Sequence, residues 1–84
     1  NSENQKFMIY GGQGVAIVNQ FNVFNRWGEV VFSARNFQPN DPNFGWDGIF
    51  RGKALNPGVF VYMAEVTFSD GQTIQYSGDV TLLR

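Results

Sequence analysis

Eighty-four residues, a net charge of −1 and no histidine or cysteine exclude much before any motif is considered. A chain of this length forms one domain, residues 1–84, and its few scattered Lys and Arg residues give no basic face for nucleic acid. Without His or Cys the commonest general base and the strongest nucleophile are missing, and no apolar run is long enough for a membrane-crossing helix.

The energetic margin is narrow. Apolar burial worth roughly 125 kcal/mol is nearly cancelled by ordering the chain at about 1.5 kcal/mol per residue. Nine phenylalanines within a 17% aromatic content compensate. The absence of cysteine leaves the compartment open, since secreted domains can do without disulfides. Asn1 as the first residue, with no charged-then-apolar leader after it, points to a fragment of a longer protein.

In chain order, Asn1 to Gln5 is polar, and Lys6 to Tyr10 is a short strand candidate ended by Gly11-Gly12. Val15 to Val18 restarts an apolar run that either continues through Asn19 and Gln20 or bulges, bends or breaks there. Phe21 to Phe32 then reads as a hairpin around Asn25-Arg26-Trp27-Gly28, a four-residue loop with Gly28 left-handed. That register sets Phe24 opposite Glu29, Val23 opposite Val30 and Phe21 opposite Phe32, with Phe21, Val23, Val30 and Phe32 on one apolar face. Such a face requires a covering layer.

Ser33 to Asn56 is rich in Asn, Pro, Asp and Gly and reads as a long connection with one short strand around Gly48 to Arg51. Asn56-Pro57-Gly58 has the chemistry of a type II turn, with Gly58 at positive φ. Val59 to Phe68 comes next as a strand with Phe60, Tyr62, Ala64, Val66 and Phe68 on one face. Val59, Val61 and Met63 make its first half apolar on both sides, which predicts burial on both sides.

The next turn permits a choice of register. A two-residue Asp-Gly loop throws Ile74, Tyr76, Val80 and Leu82 onto the wrong face. A three-residue loop, Ser69 to Gly71 with Gly71 in a G1 bulge, pairs Val66 with Ile74, Ala64 with Tyr76 and Phe60 with Val80. The second is expected, with a last strand from Thr73 to Leu83 and Gly78 opposite Tyr62, where the missing side chain gives the ring room. Six or seven short strands and no helix predict an all-β, immunoglobulin-like antiparallel sandwich.

The pieces F-x-V-F-N-R-W-G (Phe21 to Gly28), Val31-Phe32, Trp46-Asp47-Gly48, Pro57-x-x-Phe60-x-Tyr62 and Gly78-x-Val80-x-Leu82-x-Arg84 together resemble the gliding-motility-associated C-terminal domain. This is the type B sorting domain of the Bacteroidota type IX secretion system, and the likeness spans roughly residues 7 to 84 in order. Two departures are visible. The chain begins inside the Asn/Gly/Asp-rich turn that usually comes after a first strand, and the Trp-Asp-Gly and proline-glycine pieces are also similar to immunoglobulin-like modules of flagellar hook-capping proteins.

The resemblance implies a non-catalytic address label. The parent, often a very large adhesin or surface enzyme, crosses the inner membrane by its own leader. The folded domain is then read by the outer-membrane translocon with a PorP/SprF-like partner, and the product reaches the cell surface or medium. It implies no cofactor, no small-molecule substrate and no nucleic acid. A missing first strand leaves one sheet edge open to self-association.

Partner recognition is expected at the tip, Asn25, Arg26, Trp27 and Gly28, or at the final strand with Asp79 and Arg84. Asp79 itself also fits a solvated face beside Ser77 and Thr81. Structural roles fall to Phe21, Val23, Phe32, Trp46, Asp47, Gly48, Pro57, Gly58, Phe60, Tyr62, Gly71, Gly78, Val80 and Leu82. Each prominent residue has a plainer reading. Trp27 can anchor a partner, but a ring so costly to leave wet is better placed folded over Phe24 or the long loop. Trp46-Asp47-Gly48 can stack a sugar, but a plug in the sandwich mouth with Asp47 accepting backbone N–H bonds explains it more simply.

Asp41, Asn43 and Asp47 raise calcium, yet their spacing fits no EF-hand and turn chemistry accounts for them. Arg26 and Glu29 flank the first turn as a surface ion pair of small value. The acids Glu3, Glu29, Asp41, Asp47, Glu65, Asp70 and Asp79 fall mostly in turns and on outer strand positions, which argues against a glycosidase pair. A carbohydrate-binding module using Trp27 or Trp46 and a passive spacer of a surface adhesin are the competing classes.

Overall fold

The computed structural model describes residues 7–9, 11 and 14–83; the expected strand ends at Lys6 and Tyr10, the Gly12 break and Arg84 lie outside these. Among the described residues six strands form: β1 (Val15–Phe24), β2 (Val30–Phe37), β3 (Ile49–Phe50), β4 (Lys53–Ala54), β5 (Gly58–Phe68) and β6 (Thr73–Leu82). Four of them make one open antiparallel sheet in the order β2-β1-β5-β6, and β3 pairs with β4. The fold is all-β and unclosed, consistent with an immunoglobulin-like sandwich.

The inner face of the large sheet carries Phe21, Val23, Phe60, Ala64 and Val66, all buried, with Tyr62, Phe68, Val80 and Leu82 packed against them. A thin second layer covers it. Phe7 and Trp46 exchange backbone hydrogen bonds of 2.7 and 2.9 Å, which places the Phe7 ring edge-on to both Phe21 and Tyr62. Phe44, in the 3-10 turn Pro42–Phe44, stacks on Phe37 at 4.7 Å, and Trp46 meets Phe60 edge-on. Aromatic rings therefore cover the face where regular strands do not.

The long connection is shorter and more ordered than its composition predicts. β2 runs on through Ser33 to Phe37, pairing Arg35 with Gln20 and Phe37 with Val18. Beyond β2 the chain is tied to the first segment: Asn40 N–H donates to the Ile9 carbonyl, the Asn40 amide brackets both the N–H and the carbonyl of Gly11, and Asn40 itself is left-handed. In place of one short strand, Ile49 to Ala54 forms a hairpin on a two-residue Arg51-Gly52 loop, both at positive φ.

The first hairpin corrects its expected register. Asn25 N–H bonds to the Glu29 carbonyl, so the loop is three residues, Arg26 to Gly28, and Phe24 faces Val30. One extra residue, Val31, then bulges, so that Val23 faces Phe32 and Phe21 faces Ala34. The bulge turns Val31 into the core and leaves Val30 outside. A second irregularity answers the question at Asn19. β1 continues through it, but Asn19 is an extra residue against β5, its amide held by Glu65 and the Thr67 hydroxyl.

The β5–β6 hairpin has the three-residue loop and the expected pairs, including Tyr62 opposite Gly78. Gly71 is at φ +90, and Phe68 N–H closes onto the Gln72 carbonyl. Gly58 differs from expectation: it is already in β5 opposite Leu82 and lacks a positive φ, so no type II turn forms around it. Nor is β5 buried on both sides, since Val59, Val61 and Met63 are exposed.

A methyl group on Gly78 would stand 3.0 Å from Tyr62 Cε1 and 3.1 Å from its hydroxyl, whereas one on Gly58 would meet open space. Gly78→Ala is expected to cost about 1–3 kcal/mol in urea unfolding. Gly58→Ala should stay within about 0.5 kcal/mol. Equal effects would show that the close approach of the Tyr62 ring is not a constraint.

Candidate functional site

The first hairpin ends in a turn built around one side chain. Asn25 Oδ1 accepts hydrogen bonds from the backbone N–H groups of Trp27, at 3.0 Å, and Glu29, at 2.9 Å, while its Nδ2 donates to Glu29 Oε1 at 2.9 Å. Gly28 N–H bonds to the Asn25 carbonyl at 3.0 Å and takes φ +83, the left-handed conformation that glycine adopts without strain. The backbone of the tip is thus fixed from within, and its other two side chains are left to solvent.

Those side chains are Arg26 and Trp27. Trp27 is 80% exposed and does not fold back over Phe24 or the long loop, contrary to the simpler sequence reading. The Arg26 guanidinium lies 5.1 Å from the centre of its ring, and Glu29 is engaged by Asn25, so Arg26 stacks on Trp27 where an ion pair with Glu29 was expected. Between the tip and the Leu55 to Phe60 approach to β5 runs an open groove of about 190 Å³. Pro57 and Gly58 line this groove.

Val59, which lines the groove, also belongs to an apolar patch on the outer face of the sheet. There Val30, Phe24 and Val61 sit side by side on β2, β1 and β5, with Val59 and Met63 flanking Val61 along its own strand. Four of the five are exposed, Val59 to 56%. The sequence carries their signal in the continuous run Val59 to Met63, but a run apolar on both faces predicts burial on both faces, which does not occur.

The remaining candidates lie elsewhere. Asp79 is exposed on the same outer face, opposite Val61 and between Ser77 and Thr81, two strands from the tip hairpin. Trp46 is 3% exposed beneath Phe60 and offers no face to a sugar ring, while Asp47 Oδ1 accepts from Ile49 N–H. Gly48 comes next at φ +82. Asp41 Oδ1 caps the 3-10 turn by accepting from Asn43 N–H, so both acids serve turns, and no metal-binding cluster of acids occurs among the described residues. Phe21, Val23, Phe32, Phe60, Tyr62, Val80 and Leu82 all belong to or pack on the core, and Phe60 also lines the groove beside the tip.

In comparison with known families, the model of the CHU_C type IX secretion signal domain matches residues 1–82. No curated protein and no solved structure matched the chain significantly.

Asn25 and Trp27 separate turn stability from surface display. Asn25→Ala removes three hydrogen bonds and is expected to cost about 1–2 kcal/mol in chemical unfolding. Trp27→Ala should change stability by less than about 0.5 kcal/mol, because its ring buries little. A large loss of stability in Trp27→Ala would mean that the ring serves the fold.

Proposed function

The chain belongs to the CHU_C type IX secretion signal domain family, and we propose from that premise that the machinery reads this domain at its Trp27 hairpin tip. Membership makes the domain a secretion signal that acts with the type IX machinery and directs export to the cell surface or beyond. The reader is the outer-membrane translocon with its PorP/SprF-like component, met after the parent has entered the periplasm. The parent is a large surface or secreted protein, an adhesin or a surface enzyme, and the domain contributes recognition without catalysis.

One observation carries this reading: an 80% exposed tryptophan stands on a turn whose backbone is already fixed by Asn25. Exposed tryptophan and arginine are the residue types that dominate binding energy at interfaces, and a pre-ordered loop loses little entropy when it docks. Arg26 and Trp27 offer both types on one support. The groove beside Pro57 and the apolar outer face give a reader contiguous surface, and the final strand with Asp79 and Arg84 is the second contact.

The test is a reporter fused to these residues in a host with type IX secretion. The wild-type fusion should appear outside the cell, and Trp27→Ala should lower external reporter roughly tenfold or more while it accumulates in the periplasm. A wild-type fusion retained like the unfused reporter rejects the sorting reading for this chain. Export of Trp27→Ala at the wild-type level rejects the tip alone.

A further inference from the structure

The two edges of the four-stranded sheet are built differently. β2 carries the Val31 bulge, a left-handed Asn36 and the charge of Arg35, and it has β3 packed beside it. These are the devices by which an edge avoids further pairing. β6 has only one charge, Asp79, and none of the other devices: its pairing with β5 runs from Thr73 to Leu82 without a register shift, and the strand contains no Pro, Lys or Arg. Among the described residues no strand lies beyond it.

The hydrogen-bond phase of β6 is set by its turn. Phe68 and Gln72 form the bonded pair that closes the loop, so bonded and non-bonded pairs alternate from there. Thr73, Gln75, Ser77, Asp79 and Thr81 therefore turn both N–H and C=O toward the open edge, and their side chains toward the outer face. Ile74, Tyr76, Gly78, Val80 and Leu82 lie on the inner side, where Tyr76 remains 45% exposed.

We propose that this edge is an interface for a second copy of the chain, which adds antiparallel to β6 with Ser77 on the twofold axis. That register sets Thr73 against Thr81 of the second copy, Gln75 against its Asp79, and Ser77 against its Ser77. On the inner side Ile74 meets Val80, and the exposed Tyr76 ring comes over Gly78 of the second copy, next to the Tyr62 ring already lodged there. Hydroxyl faces hydroxyl, amide faces carboxylate and apolar faces apolar.

Registers displaced toward Asp79 are worse. An axis at Asp79 opposes two carboxylates, and an axis at Gly78 sets glycine against glycine and leaves a gap where Tyr76 fits. The proposal leaves the main contact of the sorting reading untouched, because the tip hairpin joins β1 to β2, two strands from the new seam, whereas the second contact at Asp79 lies within that seam. Both tips of a dimer stay free.

Ser77→Cys tests the register directly, since the chain has no cysteine of its own. Opposed Cα atoms about 5.5 Å apart suit a disulfide. With a copper catalyst and dissolved oxygen as oxidant, the two thiols give up two protons and two electrons, oxygen is reduced, and one S–S bond forms. Ser77→Cys should link into a dimer rapidly. Thr73→Cys should not, because its two copies lie at opposite ends of the seam, about 26 Å apart at 3.3 Å per residue.

Sedimentation velocity should show a concentration-dependent dimer for the 84-residue chain. Ser77→Pro, which removes an N–H that faces the open edge and none within the sheet, should make it monomeric. Gln75→Lys, which adds two symmetric pairs with Asp79, should tighten the dimer about fivefold. A wild-type monomer at every concentration, equal cross-linking of the two cysteines, or a Gln75→Lys dimer no tighter than wild type would each overturn the proposal. The last measurement decides the matter even if the proline variant fails to fold.

Discussion

Phe21 has no exposed surface, and three phenylalanine rings close on it from separate parts of the chain: Phe7 from the first segment, Phe32 from the neighbouring strand and Phe37 from the end of that strand. Everything else in the fold is arranged so that these rings can arrive. The second layer has only the short β3–β4 pair as regular strands among the described residues, so rings do much of the covering, and the backbone pairing of Phe7 with Trp46 holds two of them in place. A domain this small, without disulfides, depends on a few large apolar side chains because their area per residue is the greatest available. The phenylalanine content is thus a consequence of having one full sheet and a partial cover.

That arrangement explains which parts of the fold are legible in the sequence. The β5–β6 hairpin is legible because two loop lengths give opposite faces, and only one keeps Ile74, Val80 and Leu82 beside Phe60 and Val66. The first hairpin is not, because nothing in Phe21 to Phe32 distinguishes a regular strand from one with an extra residue at Val31. A bulge changes the parity of a strand without any glycine or proline to announce it. The same holds at Asn19, an extra residue against β5, across from which Asn36 is left-handed. Val18 and Phe37, which pair beside it, are both buried, although a regular strand would place Val18 and Phe21 on opposite faces.

The candidate site is legible in its backbone and misleading in its side chains. Asn25 and Gly28 announce a turn through their chemistry, and the turn is there. Whether Trp27 covers something or is left bare depends on what lies within reach of the ring, and that is set by the three-residue loop and by the path of Leu55 to Phe60. Neither is written in the local sequence. The outer face shows the same limit: Val59, Val61 and Met63 have the pattern of a strand covered on both sides, but their cover is absent from the described residues. Patterning records that a surface is to be buried, without recording by what.

A signal read as a shape imposes requirements different from those of an active site. It needs no reactive group, and the acids at Asp41 and Asp47 are spent on turns. It needs instead a surface whose geometry survives solvent exposure, since a tip that moved would give up in ordering entropy what its tryptophan gains in contact. Asn25 meets that need locally, with three side-chain hydrogen bonds that do not draw on the core. The aromatic cluster meets it globally by fixing the sheet from which the hairpin projects. Core and tip are therefore held by different means, because the residues that hold the fold are buried between the layers, and those proposed for reading are held by the hydrogen bonds of their own turn.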